Sequence, residues 1–101
     1  MIDLAPEHLA EVRRILATLV PDCEVRAFGS RVTGTARRFS DLDLAVIPPA
    51  PLEPRRLDDL RDAFAASNLP MRVDVLDWGA TSEAFRALVE ARYEVVQAGA
   101  S

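Results

Sequence analysis

Hydrophobic residues return at three- and four-residue intervals in three stretches of the chain, which is the spacing of an amphipathic helix. The pattern predicts helices over residues 6–20, 54–66 and 81–92. Thr81 is the expected N-cap of the last one, because its hydroxyl can accept a hydrogen bond from a free backbone N–H. The residues of this helix that we expect to face the core are Phe85, Leu88 and Val89.

Between these helices, shorter apolar stretches have the composition of strands. They cover residues 24–28, 42–47 and 71–76, and a brief fourth strand is expected at 94–96. The predicted fold class for this set of elements is α+β. We expect a small mixed β-sheet with helices packed on one face and with the other face open.

Two carboxylates interrupt the apolar pattern of the second strand. Asp41 and Asp43 are two positions apart, so in an extended chain their side chains lie on the same face. At a separation of roughly 6–7 Å they would repel by about 2–3 kcal/mol at an effective dielectric constant of ~20. A divalent cation such as Mg²⁺ would explain the pair, since it takes carboxylate oxygens and shares its site with substrate phosphates.

A small turn lies ten residues before this pair. Gly29 would let backbone approach a triphosphate, and the Ser30 hydroxyl and neighbouring amides could bind its terminal phosphates. Taken alone, the two residues are better explained by an ordinary strand-to-helix cap, but the two carboxylates downstream favour the phosphate-binding interpretation. Arg31 follows directly, and either contact with a phosphate or a solvated surface position would suit it.

Asp74 is a third acidic residue in an unusual place, the middle of an apolar strand. An edge strand with one wet face, on which Asp74 pairs with Arg72, would account for it. The presence of Asp41 and Asp43 favours a second interpretation, in which Asp74 is a third ligand of the same metal site.

Gly29-Ser30, ten residues, and then Asp41-x-Asp43 resembles the signature of the DNA polymerase β-like nucleotidyltransferase superfamily. In a chain of this length the similarity is to the minimal nucleotidyltransferase (MNT) subfamily, over about residues 25–75. The resemblance implies the polymerase β-like nucleotidyltransferase fold. It also implies two Mg²⁺ ions held by Asp41, Asp43 and Asp74, which are then the catalytic residues.

The same resemblance implies a reaction and a partner. ATP would be the substrate, bound by Gly29, Ser30 and Arg31, and AMP would pass to a hydroxyl group, with a tyrosine of a HEPN-family toxin as the expected acceptor. The protein would then be a type VII-like antitoxin in a HEPN/MNT toxin–antitoxin pair, forming a hetero-oligomer with the toxin. Two alternatives stay open: a non-catalytic antitoxin that acts by binding alone, and a nucleotidyltransferase for a small, aminoglycoside-like acceptor.

Length and composition limit the other possibilities. The 101 residues fit one domain, 1–101. The formal net charge is −4, which makes binding of long nucleic acid unexpected, and no apolar run is long enough to span a membrane. One histidine and one cysteine cannot form a zinc cluster, and a chain without lysine cannot form a Walker-type loop. The single Cys23 favours a reducing, cytoplasmic location.

Overall fold

The computed structural model describes residues 2–37 and 40–99, and these residues form four α-helices, a 3₁₀ turn and one four-stranded sheet. In chain order the elements are α1 (Pro6–Leu19), β1 (Glu24–Phe28), α2 (Ser30–Thr33), β2 (Leu42–Ile47), α3 (Pro54–Ala66), β3 (Val73–Asp77), the 3₁₀ turn (Trp78–Ala80), α4 (Glu83–Ala91) and β4 (Glu94–Gln97). None of these helices has the length and apolar character needed to cross a bilayer.

The sheet is mixed, as the sequence predicts, with the strand order β3-β2-β1-β4. Strand β1 is antiparallel to both of its neighbours, whereas β2 and β3 run parallel, with α3 in the connection between them. Parallel strands need a long connection, because the chain must return to the same end of the sheet. This arrangement brings residues that are about thirty positions apart in the sequence side by side on the two strands.

Helices α1 and α3 pack on one face of the sheet and form the core with it. The alternation of side chains along each strand directs every second residue into this layer. Its central members are Val12, Leu16, Val25, Leu42, Leu44, Val46 and Leu60, all of which are almost fully buried. The other face therefore receives the alternate residues, among them Phe28 and Asp43.

The bounds predicted for β1, β2 and α3 are confirmed to the residue. Two predictions near the end of the chain are wrong. The third strand begins at Val73 and not at residue 71, and the N-cap of α4 is Ser82, whose hydroxyl accepts a hydrogen bond from the Phe85 N–H. Thr81 instead donates its hydroxyl to the carbonyl of Asp77, which holds the 3₁₀ turn.

Helix α4 is less buried than its amphipathic pattern predicts. Val89 is buried, but Phe85 is 39% and Leu88 is 70% exposed, so the expectation that Leu88 faces the core is wrong. The Phe85 ring meets Phe28 edge-on, with 5.8 Å between ring centroids. Phe28 belongs to the sheet face opposite α1 and α3, so α4 borders that face. The prediction that this face is open is therefore only partly correct.

Candidate functional site

The parallel pairing of β2 and β3 places Asp74 directly beside Asp43. Neighbouring strands lie about 4.8 Å apart, so two residues in register on the same face have adjacent side chains. On its other side Asp43 is in register with Phe28 of β1. The central strand thus holds Asp43 in the middle of the sheet, and both carboxyl groups are partly buried.

Asp41 lies one residue ahead of β2 and is exposed. Its charge still reaches Asp43. Burial raises the pKa of Asp43 above its usual value, and the negative charges of Asp74 and then Asp41 raise it further. The three acidic residues therefore form one electrostatic group, in which ionisation of Asp43 is less favourable than in an isolated aspartate.

The turn after β1 lies against the same carboxylate. Gly29 has a φ of +80°, and a Cβ added at this position would be 2.4 Å from Oδ2 of Asp43. Both the backbone conformation and the space therefore require glycine here. Ser30 is the first residue of α2, and the carbonyl of Gly29 accepts hydrogen bonds from the N–H groups of Val32 and Thr33.

Arg31 does not occupy the solvated surface position that the sequence suggested as one of two alternatives. It is only 6% exposed, which corrects the prediction of a solvated surface arginine. Its guanidinium donates to the backbone carbonyls of Ser40 and Asp3. These donors are directed at the backbone of the chain, and the assignment of Arg31 as a nucleotide ligand stays a prediction. Sequence reasoning missed these backbone contacts because a backbone carbonyl is present at every position and leaves no signal.

Asp74 also has a partner outside the acidic group. Nε of Arg72 lies 3.0 Å from Oδ1 of Asp74, in an ion pair whose side chains are 75% and 42% exposed. Exposed pairs of this kind contribute about 0–1 kcal/mol. The two interpretations of Asp74 are thus compatible, since a weak surface pair leaves the carboxylate available to a more strongly bound cation.

The donor set suits a hard cation. Within residues 2–37 and 40–99, no three acidic, histidine or cysteine side chains are close enough together to hold a metal ion unaided. Carboxylate oxygens from Asp41, Asp43 and Asp74 are nevertheless the ligands that Mg²⁺ takes, usually together with water and substrate phosphates. Burial, and then the charges of Asp74 and Asp41, raise the pKa of Asp43, so additional positive charge beside it would favour its ionised form. A divalent ion bound with its nucleotide would supply this charge.

The sequence profile described as "Nucleotidyltransferase domain" matches residues 9–98 of the chain. The chain belongs to this nucleotidyltransferase family. The nucleotidyltransferase is also similar to "Probable protein adenylyltransferase MntA" of Haemophilus influenzae, with 52% identity over 96 residues, which cover 95% of this chain and 84% of that protein.

Solved structures show the same fold. One is a crystal structure of a toxin–antitoxin with AMP-PNP, which matches with a TM-score of 0.75 and 25% identity over 89% of this nucleotidyltransferase and 73% of that chain. Another is a tri-AMPylated HEPN toxin of Shewanella oneidensis in complex with MNT antitoxin, with a TM-score of 0.68 over 91% of this chain and 71% of that chain. At 19% identity, the second match supports the fold alone.

Proposed function

We propose that the protein is a Mg²⁺-dependent adenylyltransferase that transfers AMP from ATP to a hydroxyl group of a partner protein. The observation that supports this most directly is the position of Asp43, which lies beside Asp74 and against Gly29. A nucleotide bound at the Gly29–Ser30 turn would have its phosphates next to the acidic group. This is the juxtaposition that phosphoryl transfer needs, because positioning and charge neutralisation supply most of its catalysis.

In this proposal each residue has a defined task. Asp41, Asp43 and Asp74 would hold two Mg²⁺ ions, which when bound neutralise charge on the phosphates and on the acceptor oxygen. Ser30 and the backbone after Gly29 bind the terminal phosphates. The acceptor oxygen forms a bond to the α-phosphorus, the bond from that phosphorus to the bridging oxygen breaks, and pyrophosphate leaves. Asp74 takes the proton of the acceptor hydroxyl.

The comparisons favour a toxin as the acceptor. The relative at 52% identity carries the name of a protein adenylyltransferase, and the match with AMP-PNP is a toxin–antitoxin. We therefore propose a HEPN-family toxin as the partner in a hetero-oligomer, with a tyrosine as the modified residue and with a type VII-like antitoxin as the outcome. The single cysteine, Cys23, which is buried and reduced, suits a cytoplasmic location.

Transfer of label tests the proposal. The protein is incubated with Mg²⁺, ATP labelled at the α-phosphate and the product of the neighbouring gene. We expect label on that product with the native protein, and a loss of at least a hundredfold in rate with Asp43→Asn, because the central ligand is gone. Label that persists undiminished in Asp43→Asn, or no label with the native protein, would refute the enzyme proposal.

Two glycines provide a pair of variants for the same assay. Gly29 and Gly34 both have a positive φ, but ψ is −157° at Gly29, in a region almost restricted to glycine, and 12° at Gly34, in the αL region that other residues also adopt. A Cβ at Gly29 would also lie 2.4 Å from Oδ2 of Asp43, whereas a Cβ at Gly34 meets nothing within 4 Å. We therefore expect Gly29→Ala to lose transfer, whereas Gly34→Ala keeps most of it. Equal losses would show that the conformation of Gly29 and its contact with Asp43 have no special part in transfer.

One observation favours an antitoxin that acts by binding alone: Asp74 already has a cationic partner in Arg72. If the acidic residues only form that ion pair and contribute surface charge, replacing Asp41, Asp43 and Asp74 together by asparagine should leave neutralisation of the toxin intact. Under the adenylyltransferase proposal the triple variant still binds the toxin but does not neutralise it. Co-purification and a growth assay distinguish these two outcomes.

A further inference from the structure

We infer that Arg31 is a positioning residue, which fixes Asp41 relative to the Gly29–Ser30 turn. The consequence for nucleotide binding rests on the function proposed above, whereas the effect on the backbone at Asp41 does not. The hydrogen bonds that Arg31 donates to Ser40 and Asp3 do not involve the Asp41 side chain or the Gly29–Ser30 turn. Arg31 acts instead on the peptide that enters β2.

The guanidinium of Arg31 forms a fork, in which two of its N–H groups donate to the same carbonyl oxygen. Nε and Nη2 lie 3.0 Å and 2.8 Å from the carbonyl oxygen of Ser40. Nη1 lies 2.8 Å from the carbonyl oxygen of Asp3, whose own N–H donates to the carbonyl of Arg31 at 2.7 Å. A guanidinium is planar and its N–H groups diverge at fixed angles, so two bonds to one oxygen fix the direction of that carbonyl.

Asp41 lies between this fork and the start of the sheet. The carbonyl of Ser40 belongs to the peptide group before Asp41, and the N–H of Leu42, which follows Asp41, donates to the carbonyl of Arg72 at 2.9 Å. Asp41 itself precedes the strand. Without the fork, the described chain just before Asp41 would keep only the bonds that Ser40 makes with Arg37 in the same loop. The Asp41 carboxylate would then sample directions away from Asp43.

The fork also links two parts of the site, the Gly29–Ser30 turn and the peptide before Asp41, which the proposed reaction needs at a fixed spacing. Arg31 is the second residue of α2, directly after Ser30, and its backbone therefore moves with the turn that would bind the phosphates. Its side chain holds the peptide that carries Asp41. One buried side chain thus sets the spacing between the phosphate-binding turn and an acidic ligand.

Arg31→Lys tests this inference, because lysine keeps the charge but cannot place two donors on one oxygen. The measurement is the Mg²⁺-dependent affinity for a fluorescent, non-hydrolysable ATP analogue, in native protein and in Asp41→Asn. We expect Arg31→Lys to weaken binding about tenfold in the native background and less than twofold in Asp41→Asn. A residue that acts through Asp41 has nothing left to align once that carboxylate is gone, so the two effects are not additive.

Arg86→Lys is the matched control. Nε and Nη2 of Arg86 form the same fork on the carbonyl of Trp78, at 3.1 Å and 2.7 Å, in a part of the chain without acidic ligands. We expect it to leave nucleotide affinity unchanged. A tenfold loss that Arg31→Lys causes equally in both backgrounds would overturn the inference, since it would indicate a direct contact with the nucleotide.

Hydrogen exchange provides a second readout that does not need a ligand. Arg31→Lys should speed exchange of the Leu42 amide, which donates to the carbonyl of Arg72, at least tenfold, while amides in the middle of α1 keep their native rates. Unchanged exchange at Leu42 would overturn the inference. If the native protein fails to bind the analogue, the proposed function fails, and the exchange rates still decide the role of Arg31.

Discussion

At the scale of single residues, Asp43 has an environment that does not suit a carboxylate. It lies in the central strand, partly buried, with Asp74 in register beside it and the charge of Asp41 nearby. Folding stability alone would favour an apolar or amide side chain at this position. A residue that costs stability where it stands is typical of a binding site, because the missing charge is supplied by the ligand.

The raised pKa of Asp43 makes stability depend on pH in a defined direction. Its usual pKa is near 3.8, and the folded protein raises it, so the native state binds more protons than the unfolded chain just above pH 4. The free energy of unfolding therefore falls as pH rises through this window and stays reduced above it. We expect Asp43→Asn, without metal, to be more stable than the native protein at pH 7, by an amount that shrinks towards pH 3.

Thermal unfolding at pH 3, 5 and 7 in the presence of EDTA measures this difference. Asp59→Asn is the control, since Asp59 is exposed on α3, far from the acidic group in the sequence, and such surface changes usually stay within about 0.5 kcal/mol. A native protein that is more stable than Asp43→Asn at pH 7 would contradict the repulsion that we assign to Asp43.

At the scale of elements, α4 shows what a hydrophobic pattern can and cannot predict. The spacing of Phe85, Leu88 and Val89 identifies the helix correctly, since the period is a property of the element itself. It does not indicate how much of the apolar stripe finds a partner within the chain. Helices α1 and α3 cover the same sheet face and bury their stripes, whereas α4 borders the other face and buries Val89 while leaving Leu88 exposed.

Adjacent residues of α4 should therefore differ sharply in their effect on stability. Val89→Ala removes two buried methyl groups and is expected to lower the free energy of unfolding by about 2 kcal/mol. Leu88→Ala removes more carbon from a side chain that is 70% exposed, and alanine favours helix, so the change should stay within about 0.5 kcal/mol. Urea unfolding of the two variants provides the comparison. A loss in Leu88→Ala as large as in Val89→Ala would contradict the exposure described for this helix.

At the scale of the whole molecule, the sequence predicts the elements better than it predicts their arrangement. The strands β1 and β2 and the helix α3 follow from local periodicity and from the prolines that flank them. The strand order and the parallel pairing of β2 with β3 do not, because they depend on contacts between distant segments. The proximity of Asp74 to Asp43 could be expected from the unexplained pair of carboxylates and from the resemblance to a known family, but not from local periodicity. The fork of Arg31 on Ser40 could not be expected at all.

This arrangement also predicts how the whole fold responds to its ligands. The candidate site joins the turn before α2 to β2 and β3, so a bound nucleotide would connect elements that come together only in the native state. Ligand at 100 times its dissociation constant adds about 2.7 kcal/mol to stability, and in a domain of this size 1 kcal/mol raises Tm by about 4–8 °C. We therefore expect Mg²⁺ with a non-hydrolysable ATP analogue to raise Tm by roughly 10–20 °C at that concentration. The same mixture with EDTA, or with Asp43→Asn in place of the native protein, should give a small shift. An increase that survives in EDTA would place the nucleotide away from the acidic group, because binding there requires the divalent ion to offset the charge of three carboxylates.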